Sequence, residues 1–195
     1  MTQVKEVVNA VGRKVPLEID GRRYRPFAGA FVEPPKEEAK RRVGPRLGTI
    51  LHPGEDCMVG TLREAIEWTE LKDGMTVSFH HHFREGDKVL NMVMAEIAAM
   101  GFKNMTIAPS SLYPVHEPLI EHIKNGIVTC IEGGSAQGKV GRAVSRGLMG
   151  RPMVIRSHGG RVRAIERGDL HIDAAFIGAP CTDAIGNCNG VKGPS

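Results

Sequence analysis

The chain has 195 residues, 41% hydrophobic and 25% charged, enough for one substantial core and ordinary for a globular domain. No apolar run approaches the length of a bilayer span and the first residues lack a secretory-type apolar segment, so the reading is a cytoplasmic protein without membrane association. The net charge of +4 is concentrated in the first fifty residues, where "KEEAKRRVGPR" lies among prolines; without an aromatic platform or recognition helix, this is read as a solvated arm or a strap against a partner subunit, and not as a nucleic-acid surface.

Residues 1–46 carry Pro16, Pro26, Pro34, Pro35 and Pro45 and no long periodic run, which predicts an irregular, basic N-terminal arm ahead of an α/β domain over 47–195. "TLREAIEW" follows with a capping-box pattern, Thr61 and Glu64 serving each other's backbone amides at a helix start. "MTVSF" reads as a strand, and "KVLNMVMAEIAAM" as a helix apolar nearly all round and hence buried. The alternation continues with "NMTIA" as strand, "PLIEHIKNG" as a helix ending at Gly126, and "IVTCI" as strand. "GKVGRAVSRGLM" is the next helix, "PMVIR" a strand, "RVRAIERG" a short helix and "IDAAFIGA" the last strand. Strands and helices in this order predict right-handed crossovers and an open, mostly parallel sheet with helices on both faces. Cys57, Cys130, Cys181 and Cys188 have no Cys-x-x-Cys spacing and read as reduced thiols.

In such a sheet the loops after the strands emerge together at the carboxyl edge, where ligands bind. Those loops are "HHHFREGD", "PSSLYPVHE", "EGGSAQGK", "SHGGRVR" and "APCTDAIGNCNG". They bring His80, His81, His82, Arg84, Ser110, Ser111, His116, Ser135, Gln137, His158, Arg161 and Asn187 to one rim. The pairs Gly133-Gly134 and Gly159-Gly160 are expected to let backbone amides approach a ligand, and helix starts nearby favour anions. A small carboxylate-bearing anion fits, since forked guanidinium groups match carboxylates. Each feature also has a plainer explanation. The histidine triplet is a fragment of a zinc set, although no further ligand motif accompanies it; Ser110 and Ser111 are helix caps; "GNCNG" is a tight turn; Met92, Met94 and Met100 are core. The convergence of five loops favours the anion site, and no metal is assigned.

Two long segments go further. "SFHHHFR" and "HGGRVRAIERGDLHID", with the "RRVGPRLGT" arm, closely resemble alpha subunits of bacterial citrate lyase, within the CoA-transferase superfamily. The superfamily's "IDVA…D..GN" segment is matched by Ile172, Asp173, Ala174, Ala175, Asp183, Gly186 and Asn187. The resemblance implies a CoA-transferase-like fold and a citrate:acetyl-carrier exchange, in which citrate displaces acetate from a carrier. It implies no cofactor bound by this chain, which acts instead on a CoA-like phosphopantetheine group, a dephospho-CoA derivative, on the acyl-carrier (gamma) subunit. A beta subunit that cleaves citryl carrier completes the expected oligomeric complex. By the same resemblance the His80, His81, His82 and Phe83 loop occupies the oxyanion position. Arg84, His158 and Arg161 orient substrate carboxylates, with Ser110, Ser111, Gly159, Gly160 and Asn187 completing the substrate-facing set. Alpha subunits are longer than this chain, so it is expected to be an N-terminal half whose nucleophilic glutamate lies elsewhere; Glu55, Glu96, Glu117 and Glu132 fall in no matching motif. Another small-acid CoA-transferase, a non-catalytic assembly module and a metal-dependent hydrolase centred on His80 and His82 are the alternatives.

Overall fold

The computed structural model describes residues 5–19, 21–26, 28–29, 56–80, 83, 86–191 and 193. Two compact units divide the chain, Met1–Arg42 and Val43–Ser195; the 46/47 boundary expected from the sequence lies outside the described residues. The described residues of the first unit hold two short hairpins. Strands β1 (Glu6–Val8) and β2 (Lys14–Pro16) form one antiparallel hairpin, and β3 (Glu18–Ile19) and β4 (Arg22–Arg23) another. Asn9 closes the first turn, its side-chain oxygen accepting from the amides of Val11 (3.1 Å) and Arg13 (3.0 Å). Strands of two or three residues are too short to show an alternation in sequence.

The first described element of the second unit is helix α1 (Leu62–Trp68), whose Thr61–Glu64 capping box is present as expected. Strand β5 (Thr76–Phe79), helix α2 (Val89–Ala99) and strand β6 (Met105–Pro109) follow. A 3-10 turn (Pro114–His116) leads to helix α3 (Leu119–Lys124), which Asn125 and a left-handed Gly126 (φ 69°) bring to a stop. Then come β7 (Val128–Gly133), α4 (Gly138–Ser145), β8 (Val154–Ile155), α5 (His158–Glu166) and β9 (Ala174–Phe176). A hairpin of β10 (Cys181–Thr182) and β11 (Cys188–Asn189) completes the described part.

The five strands β8-β7-β6-β5-β9 form one parallel sheet. From β5 to β8 the chain steps in one direction, so right-handed crossovers carry α2, α3 and α4 over the same face. The step back from β8 to β9 reverses direction and sends α5 to the other face. Burial follows this asymmetry. Val77, Phe79, Met105, Ile107, Ile131 and Ala174 pack with Ile66, Met94, Ile97, Leu119, Ile123 and Val140 in the main core. The second face holds only a small cluster of Ala108, Ala164 and Leu170, flanked by Ile165 and Ile172.

Helix α2 is not buried all round, as its composition suggested. Leu90, Val93, Met94 and Ile97 face the core, whereas Met92 is 60% exposed, so that methionine is surface and not core. The reason is the single layer of helices, which leaves each helix a solvent side. Asp173 ties β9 to β5: its carboxylate accepts from the Thr76 amide at 2.8 Å and its own amide donates to the Thr76 carbonyl. Phe79 and Phe176 stack across the same two strands, ring centroids 6.3 Å apart.

Candidate functional site

Between β5 and β9 the strand order reverses, and the crevice outside the carboxyl ends of the strands at such a point is where open α/β sheets hold ligands. The loop after β5 begins with the exposed His80 and reaches Phe83. The Phe83 ring lies against Gly178 after β9, so close that a β-carbon there would overlap it. The two loops thus meet at the reversal. His81, His82 and Arg84 lie outside the described residues.

Arg161 enters the same region from α5. Its Nη2 donates to Ser78 Oγ at 2.8 Å, joining the 158–161 segment to β5. Among the described residues its Nη1 is buried without a partner. Burial pulls this guanidinium below its ordinary pKa, though arginine stays cationic. A desolvated charge with one unspent donor is a physical reason to expect an anion there.

The loop after β6 supplies two buried serines, Ser110 and Ser111. Ser111 hydrogen-bonds the Ser135 hydroxyl and does not cap a helix. Beyond the strands proper, β6 and β7 stay joined: Gly134 donates to Ser110 O, Leu112 to Ser135 O and Gln137 to Leu112 O. A β-carbon at Gly133 would sit 2.6 Å from the Pro109 carbonyl, so this glycine pair serves close strand approach and does not bare amides to a ligand. In the other pair, the Gly160 amide donates to the N-cap Ser157 Oγ at 3.1 Å, while Gly159 and His158 are exposed at the start of α5.

His116 is almost fully buried, its Nδ1 accepting the Tyr113 amide at 3.0 Å and its Nε2 3.1 Å from the Asp87 carbonyl oxygen. It fastens the end of the histidine loop to the loop after β6. Burial lowers its pKa more than the neighbouring Asp87 carbonyl and charge raise it. Phe79, His80, Asp87, Val89, Leu90, Ser111 and His116 line a small recess beneath the loop. Asn187 belongs to the β10–β11 turn: its side-chain amide donates to Asp183 Oδ2 (2.8 Å) and its backbone amide to Oδ1 (2.9 Å). Those bonds hold the Asp183 carboxyl below its usual pKa.

Three of the four candidate acids are engaged. Glu96 pairs with Arg63 at 2.8 Å, Glu117 with Lys139 at 2.7 Å, and Glu132 with Arg156 at 2.9 Å; Glu55 lies outside the described residues. The last pair was not singled out from the sequence, where Arg156 reads only as the end of a short strand. Its position just before "SHGGR", and hence at the rim, was the available signal. The four cysteines are free thiols. Among the described residues no three His, Cys, Asp or Glu side chains gather as a metal group, and no helix is long and apolar enough to cross a membrane.

Fold and site together define a parallel α/β domain whose strand-order reversal holds a partly desolvated arginine, Arg161, against Ser78, a setting suited to a small anion. Comparison with known proteins makes this specific. The family model described as citrate lyase, alpha subunit (CitF) matches residues 55–195. The citrate lyase alpha chain of Haemophilus influenzae is 56% identical over 152 residues, covering 77% of this chain and 30% of that protein. The corresponding chain of Klebsiella pneumoniae is 54% identical over 135 residues, covering 69% and 27%. A crystal structure from Streptococcus mutans, described as the alpha subunit of citrate lyase in complex with citrate, is 59% identical with a TM-score of 0.71, covering 74% of this chain and 28% of that one. The chain belongs to the citrate lyase alpha subunit family. It spans under a third of the length of these relatives.

Proposed function

We propose that this chain carries the carboxylate-binding part of a citrate:acetyl-carrier transferase, working with the beta and acyl-carrier subunits of citrate lyase. The acid is exchanged for acetate on the carrier's CoA-like group, and the beta subunit then cleaves the citryl product. What this chain contributes is binding and orientation. Arg161, with Arg84 and His158, holds carboxylates of the acid through charge-assisted hydrogen bonds. Donors of the His80–Phe83 loop stabilise the oxygen that gathers negative charge during acyl transfer. Ser110 and Ser111 supply hydroxyls beside them. The groove along α4, lined by Ala136, Gly138, Gly141, Arg142, Ser145 and Arg146, has the cationic donors that suit the phosphates of the carrier's arm.

The observation that carries this reading is Arg161, desolvated at the strand-order reversal with a buried Nη1 that no described residue satisfies. The citrate found with the Streptococcus mutans relative supports the choice of acid. The test is acetyl–citrate exchange by the full-length alpha subunit assembled with its beta and carrier subunits. Arg161→Gln should raise the citrate concentration for half-maximal exchange by about 10- to 100-fold, the worth of a charged hydrogen bond. Unchanged citrate saturation in a folded variant would remove the assignment, and faster exchange with another small acid would move it to that acid.

A further inference from the structure

The second face of the sheet is polar where the first is apolar. Ser78 lies between Val77 and Phe79, both in the main core, so its hydroxyl projects to the opposite face. Glu132 follows Ile131, another main-core residue that pairs with Ile107, and therefore shares that second face. Ala108 pairs with Ser78 and stands between the two on β6. Ser78, Ala108 and Glu132 thus form a row across three adjacent strands, with the buried Ser110 one step nearer the carboxyl edge.

Each end of this row holds an arginine. Ser78 accepts from Arg161, and Glu132, only 1% exposed, accepts from Arg156 Nη2 at 2.9 Å. Both arginines carry a buried donor with no partner among the described residues, Nη1 in Arg161 and Nε in Arg156. The two anchors are two strand spacings apart, roughly 10 Å. That span takes a small polyacid with one charge-assisted hydrogen bond at each end. A monoacid reaches one guanidinium only.

We propose that Arg156, held by Glu132, is the second jaw of a two-arginine clamp with Arg161, and that the clamp selects acids bearing two or more carboxylates. This rests on the reading of the crevice as a carboxylic-acid site and adds a selectivity determinant to it. Glu132 is a positioning residue: it neutralises Arg156 and fixes its fork, and it does not touch the acid.

The experiment is calorimetric titration of the full chain with citrate, tricarballylate, glutarate and acetate. Arg156→Gln alone takes the paired charge from a buried carboxylate, so the working variant is Glu132→Gln/Arg156→Gln, which removes both charges of that pair, with Arg161→Gln as the other jaw. The wild-type chain should bind polyacids at least about 10-fold more tightly than acetate. In Glu132→Gln/Arg156→Gln that preference should collapse while acetate, held by Arg161, binds about as before, an outcome that general loosening of the fold does not produce; Arg161→Gln should weaken every acid. Polyacid preference retained in the double variant overturns the clamp, as does a wild-type chain that binds no polyacid. Citrate bound equally by wild type and variant sinks the clamp and leaves the citrate reading standing. Tricarballylate or glutarate bound through Arg156 with citrate excluded does the reverse.

Discussion

His116 allows a quantitative test of how the histidine loop is held. Its Nδ1 accepts a backbone amide, so the ring proton resides on Nε2 and is donated to the Asp87 carbonyl. Both partners belong to loops on the carboxyl edge, and the ring is 2% exposed. His116→Phe fills nearly the same volume but leaves one amide and one carbonyl without their bonds. At about 1–3 kcal/mol per orphaned buried group, the two together should cost the variant about 2–6 kcal/mol. The loss should depend on pH. Burial lowers the folded-state pKa of His116 below the ordinary imidazole value, so the unfolded chain binds its proton first. The contribution of the neutral ring is complete above that unfolded value and disappears as pH falls through the depressed folded one. Urea unfolding of wild type and His116→Phe at about pH 8 and about pH 5 should show a gap that narrows in acid. His122, whose pKa burial also lowers, is present in both proteins and cancels in the comparison. A gap that stays constant with pH, or a variant as stable as wild type, would refute the role given to the ring.

Two further outcomes bear on the local structure. Thr61→Ala should cost about 1 kcal/mol by removing half of the α1 capping box, readable in the same denaturation assay, while Thr61→Ser should restore most of it. Gly178→Ala should push the Phe83 ring away from β9 and weaken polyacid binding in calorimetry; unaltered binding would separate that contact from the site.

The strand and helix order was readable because each element has the length and periodicity its environment demands. Apolar strands covered on one face by helices and bounded by glycines leave little freedom of interpretation, and the α1 cap and the Gly126 stop are local chemistry written in four or five residues. What escaped the sequence depended on partners distant along the chain. Glycines 133 and 134 resemble a ligand loop until Pro109 and Ser110 are seen against them. Arg156 acquires its role only because Glu132 lies beside it on the neighbouring strand, and the register that sets which face Glu132 occupies includes a shift at Met105/Thr106. Topology led to the expectation that His80 and Arg161 share the rim; the structure ties Arg161 to Ser78 on β5, the strand that His80 follows. Asn187 was expected at the crevice as well, and its side chain instead braces the turn with Asp183.

Because the crossovers put nearly all the apolar packing of the described residues on one side of the sheet, cohesion falls to one surface of the strands, and under the proposed clamp the choice of ligand falls to the other. Alternate residues of a single strand meet different surroundings: Val77 and Phe79 the main core, Ser78 the Arg161 guanidinium. On that proposal, residues of the thinly covered side can be exchanged to change which acid is preferred while the densely packed side keeps the domain intact.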